Sequence, residues 1–165
     1  MDLNEAVISK IRELVPISSN LNDHHKLLPY IKQAININVI HVIKYNLFTE
    51  LKSAFESDTM TDRQRIAMVG GGDEANNFYT NGLITAIAYF ALGHFIKEAN
   101  GNITAYGIKQ KVGDFSMLAD YREVVSRSND VYNSGQLCLN SVMTFLDINN
   151  RDNNLASPQT VFLIS

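Results

Sequence analysis

The chain has 165 residues, 45% of them hydrophobic and 19% charged, enough apolar surface for one core and too little charge for a disordered chain. Its net charge of -3 supplies no positive field, and without a local basic patch direct reading of DNA is disfavoured. The single cysteine, Cys138, excludes an intramolecular disulfide and a multi-cysteine zinc site, and points to a reducing compartment.

The start, MDLNEAVISK, carries acids where a secretory signal has a basic segment and a continuous apolar run. The longest apolar segment, Leu83 to Ile96, is broken by Thr85, Gly93 and His94 and falls short of the roughly 18 residues that span a bilayer. The expectation is a protein soluble in the cytosol at synthesis, with no membrane partner.

Residues Ile8 to Ile17 are apolar around Pro16 and lead into SSNLND, which predicts a short element and then a turn. Leu28, Ile31, Ile35, Val39 and Val42 then recur at steps of three and four, the spacing of a helix beginning near Pro29. The run from Ile35 to Val42 also alternates and is rich in β-branched residues, so by itself it also fits a buried strand. Taken as a helix, it leaves Ile37 and Ile40 off the main stripe and needs partners on more than one side.

Leu47, Leu51, Ala54 and Phe55 mark a short amphipathic helix that runs out at ESDTMTD. Asp58 to Asp73 reads as a loop or weak helix. The sequence GGGDE from Gly70 to Glu74 predicts a flexible connection and then an acidic start to a helix over 74–99, with Leu83, Ile84, Ile87, Ala88, Ala91, Phe95 and Ile96 inward. Asn100-Gly101 ends it, and Ile103 to Lys111 looks extended.

Leu118, Tyr121, Val125, Ser128, Tyr132, Gly135, Leu139, Val142 and Leu146 give the strongest periodicity. They predict one helix of roughly 45 Å at 1.5 Å per residue. Small Ser128 and Gly135 in its stripe permit close approach of another helix. The polar segment NNRDNNLASPQ comes next, and then apolar, β-prone TVFLIS from Thr160 to Ser165. Such a segment docks on its own domain or adds a strand to another subunit, unless it is a frayed terminus; the reach of the spacer favours the other subunit.

The expected fold is mainly α: a helical bundle with a long C-terminal helix, a short extended segment near 103–111 and an extended C-terminal arm. Residues 1–148 form the helical domain and 149–165 the arm. The residues expected at an oligomer or partner interface are Ile37, Ile40, Ser128, Gly135, Val161, Phe162, Leu163 and Ile164.

No catalytic, cofactor or metal residues are expected. His24 and His25 are adjacent and share no helix face, while His41 and His94 lack an HExxH partner. The Gly70 to Gly72 run lacks the subsequent Lys-Ser/Thr of a phosphate loop. Asp114, Asp120 and Glu123 are explained by capping and dipole complementarity at the start of the long helix. Cys138 lacks an electropositive neighbourhood, and Phe90, Phe95, Tyr121, Tyr132 and Phe145 read as core or interface positions.

Four stretches, LVPISSNLNDHHKLLPYIKQAININVI, YNLFTELKSAF, NITAYGIKQKVGDFSMLADYREV and YNSGQLCLNSVMTFL, together resemble the head-tail connector, or ring, proteins of Bacteroidetes phages and prophages, including the crAss-like phages. Leu14 to Ser18, Leu28 to Ala34, Leu47 to Leu51 and Ile103 to Lys111 hold the places of that family's motifs, and the resemblance covers about Leu14 to Leu146. One departure is local: the family often has a glycine before the "ly..L" segment, where Tyr45-Asn46 stands here.

The resemblance implies a non-enzymatic structural protein of the virion neck, present in the host cytoplasm during assembly. Its homo-oligomeric ring, often of twelve subunits, would sit under the portal protein, meet other neck or tail ring proteins and extend the channel through which DNA passes without specific binding. Another neck component, such as a stopper or tail-completion protein, is the alternative within that class. The rival from outside it is a small helical enzyme or regulatory DNA-binding protein, motivated by the 58–73 loop and the histidines.

Overall fold

In the computed structural model, residues 1–14, 24–99, 103–104, 107–108 and 121–156 are described, and they are mainly helical. Helix α1 is Leu3–Leu14, with Glu5 in its first turn and Arg12 in its last, each suited to the helix dipole. Its buried residues Leu3, Val7, Ile8 and Ile11 form one face. Helix α2, His24–Gln33, continues into a π-helical segment, Ala34–Val39, and then into α3, Ile40–Ile43. The helix starts before Pro29 and contains it. Pro29 is exposed, so the missing N–H is lost on a face that water reaches.

The buried stripe agrees with the expected one at Ile31 and Val39 and differs elsewhere. Leu27, Ile31, Ala34, Val39 and Ile43 are buried, while Leu28, Ile35 and Val42 are half-buried. The wider turn, with one extra residue, rotates the downstream part of the helix about its axis, and it brings Asn38 into the interior at 8% exposure. Lys44 breaks the path with φ 75 immediately before helix α4, Tyr45–Glu56, which buries Phe48, Leu51 and Phe55. That backbone favours glycine.

The 58–73 region contains a helix, α5, Asp62–Val69. It is fixed by a capping box: the Gln64 N–H donates to the Thr61 hydroxyl at 3.3 Å, and the Thr61 N–H donates to the Gln64 side chain at 2.9 Å. The glycines then enter a hairpin and do not lead straight into a helix. Strand β1, Gly71–Asp73, pairs antiparallel with β2, Phe78–Thr80. At its base Gly70 (φ 99) and Gly82 (φ 82) touch backbone to backbone, so that a Cβ on Gly82 would lie 2.4 Å from the Gly70 nitrogen. Helix α6 therefore begins at Leu83, later than the expected residue 74, and runs to Ala99.

Helix α6 is the axis of the core. Leu83 to Gly93 are buried except for half-buried Tyr89, and α1, α2, α5 and the long last helix all pack against it. Two short strands, β3 (Ile103–Thr104) and β4 (Gly107–Ile108), pair antiparallel within the segment expected to be extended. Helix α7 is Tyr121–Ala156, 36 residues and about 54 Å long. It passes the boundary expected at residue 148, so the backbone of 149–156 is helical. The rest of the expected arm, Val161, Phe162, Leu163 and Ile164 included, lies outside the described residues, as does Leu118. Among the described residues no helix is long and apolar enough to cross a membrane.

A candidate docking cleft

The two small residues expected to admit a partner helix admit α6 of the same chain. The Ser128 hydroxyl donates to the Gly93 carbonyl at 3.0 Å, and a Cβ added to Gly135 would lie 3.0 Å from the Phe90 ring. Both are buried. Ser128 and Gly135 thus pack in the internal α6–α7 seam. Ile40 is half-buried against the core, and Ile37 is exposed at 52%.

Beside that seam a partly buried polar cluster joins three elements. The Asn38 amide donates to the Tyr132 hydroxyl and its oxygen lies 3.0 Å from His94 Nε2. Tyr132 also meets the Phe90 ring edge-on at 4.9 Å. A buried amide costs stability unless paired, and here both ends of the Asn38 side chain have partners. Burial lowers the pKa of His94, partly opposed by Glu98, while Lys97 lowers it further. Neutral His94 can donate from Nε2 to the Asn38 oxygen. The cluster ties the π-helical segment to α6 and α7. Among the described residues no group of three or more His, Cys, Asp or Glu lies close enough to hold a metal ion.

A different arrangement stands on the opposite side of α7. The hairpin lies on this helix through Phe78 stacked on Phe145 at 6.4 Å and through a 2.9 Å hydrogen bond between the Thr80 and Ser141 hydroxyls. Because strand side chains alternate, Phe78 and Thr80 facing α7 leave Tyr79 outward, 66% exposed. Asn81 comes next, with its amide 3.7 Å from Cys138 Sγ. Burial raises the Cys138 pKa, opposed by that contact, so the thiol stays protonated at neutral pH.

Between the hairpin, α1, α5, α6 and α7 lies a cleft of about 410 Å³. Its rim carries Val69 at the end of α5, Tyr79 on β2 and Leu137 on α7, exposed at 48%, 66% and 72%. Lys10 and Leu14 of α1, with Asn81, Thr85, Tyr89, Ser134 and Cys138, complete its lining. The Thr85 hydroxyl belongs to a residue only 8% exposed and has no hydrogen-bond partner among the described residues.

Three large apolar side chains at one opening are a reserve of binding energy, since burying a valine or leucine fully is worth roughly 1.5–3 kcal/mol. The apolar rim suits an extended or helical partner segment, while the lining beneath it is more polar than apolar and can meet that segment's main-chain groups. Leu137 is legible in the sequence as a leucine lying between stripe positions Gly135 and Leu139. Val69 and Tyr79 carry no such signal, because the glycine-rich stretch that leads into the hairpin reads as a flexible connection.

No curated protein and no solved structure matches the chain. The model of a family of unknown function, DUF6712, matches residues 39–159, from the last residue of the π-helical segment through the whole of α7. That span is well over half of the sequence, and the chain belongs to this family.

Proposed function

We propose that the protein is a non-enzymatic structural subunit of a ring in the head-to-tail connector of a tailed phage, docked under the portal and extending the DNA channel towards the tail. The observation that carries this is the ordered set of segments, Leu14 to Ser18, Leu28 to Ala34, Leu47 to Leu51 and Ile103 to Lys111, that resembles the connector proteins. Surface chemistry supports it. Ring subunits cover apolar faces against neighbours, and Ile37, Val69, Tyr79 and Leu137 are such uncovered side chains. A net charge of -3 suits a channel wall that lets DNA pass without holding it.

Quantitative mass spectrometry of purified virions from the phage that encodes the chain tests the proposal. The expected result is the protein at a copy number close to that of the portal. Its absence from mature virions overturns the proposal.

A further inference from the structure

We propose that the cleft beside α7 receives the apolar segment Val161–Ile164 of a second copy of the same chain. Val69, Tyr79 and Leu137 are half of the large hydrophobic side chains exposed on the described surface, the others being Met1, Ile37 and Tyr45, and all three stand at this one opening. The chain carries a segment of matching chemistry: VFLI, four apolar residues between Thr160 and Ser165. An extended segment also brings main-chain N–H and C=O groups that need partners. The cleft offers the buried Thr85 hydroxyl together with Asn81 and Ser134.

Reach decides between self-docking and exchange. From Leu137 to the end of α7 at Ala156 the helix advances about 28 Å at 1.5 Å per residue. Beyond Ala156, an extended chain returns at most about 3.6 Å per residue, so Val161 comes back no more than roughly 18 Å and Ile164 no more than roughly 29 Å. Even fully extended and with no residue spent on reversing direction, only Ile164 regains the level of Leu137 while Val161 to Leu163 fall short, and no such limit applies to the cleft of a neighbour.

Donation of this kind is head-to-tail, the class of contact that closes into a ring when the rotation between copies permits. The proposal deepens the ring reading and rests on it for closure alone.

Sedimentation of the full-length chain with two single variants, Leu137→Asp and Phe162→Asp, tests it. Leu137 is mostly exposed, so its substitution spares the fold, which circular dichroism checks. The unchanged chain is expected to self-associate, and each variant to do so at least tenfold more weakly. A mixture of the two is expected to form one-to-one complexes, because one variant keeps a sound segment and the other a sound cleft. A full-length chain that stays monomeric at every concentration overturns the proposal. So do variants that associate like the unchanged chain, or a mixture that fails to complement. The ring reading fails separately: complementing variants of a protein missing from virions leave the docking intact and remove the ring, whereas a neck ring assembled from Leu137→Asp subunits does the reverse.

Discussion

Replacing Asn38 with alanine removes the side chain that joins the π-helical segment to α6 and α7. Two hydrogen bonds are lost, one to the Tyr132 hydroxyl and one to His94 Nε2, each worth about 0.5–1.5 kcal/mol net. Tyr132 and His94 are only half-buried, so water reaches part of what they lose and the larger penalty for a sealed polar group does not apply. The expected destabilisation is therefore about 2 kcal/mol, enough to lower the melting temperature by roughly 4–8 °C in a domain of this size. Tyr132→Phe removes one of the same bonds and should cost about 1 kcal/mol. Because the two changes share that bond, the double variant should be less destabilised than the sum, with a coupling of about 1 kcal/mol. Urea unfolding monitored by circular dichroism measures all three. Strict additivity, or an Asn38→Ala variant as stable as the parent, would show that the cluster does not hold these elements together.

Three further outcomes concern single sites. Burial lowers the His94 pKa in the folded chain, so the unfolded chain takes up the proton first. Its contribution is fully present above about pH 6.5 and is lost as pH falls from there through the folded value. Thermal unfolding at stepped pH should show a smaller acid loss in His94→Gln than in the parent; equal losses contradict this. Thr61→Ala removes the cap of α5 and should cost about 1 kcal/mol in urea unfolding, and an unchanged midpoint counts against the capping box. Lys44→Gly relieves a residue held at φ 75 and should stabilise by about 1 kcal/mol after the added freedom of the unfolded chain is subtracted; a lower unfolding midpoint would mean that the Lys44 side chain matters more than its backbone.

Helices with strong periodicity are legible from the residues alone. Tyr132, Gly135, Leu139 and Val142 mark α7, and the apolar run from Leu83 marks α6, because a stripe buried on one side repeats at helical spacing whatever surrounds it. The π-helical turn is not legible. Its extra residue moves the buried position downstream from Val42 to Ile43, and whether a chain accepts that turn depends on partners distant in sequence, here His94 and Tyr132. The capping pattern Thr61-Asp-Arg-Gln64 is present and announces α5, although its face has little apolar periodicity.

Gly70 reads as part of a loose connection because the backbone that leaves no room for a Cβ there, at Thr80 and Asn81, lies across the hairpin. At the candidate site, the same ambiguity cuts both ways. Ser128 and Gly135 signal close helix approach without saying whose helix, and the approach is to α6. The cleft depends on a side chain from each of several elements, a juxtaposition that spacing along one element does not reveal.

A cryo-electron microscopy map of the neck of the virion proposed to contain the chain tests the proposed connector role most directly. The predicted result is a closed ring of these helical domains directly beneath the portal and around the DNA channel. A neck whose rings are all built from other chains contradicts it.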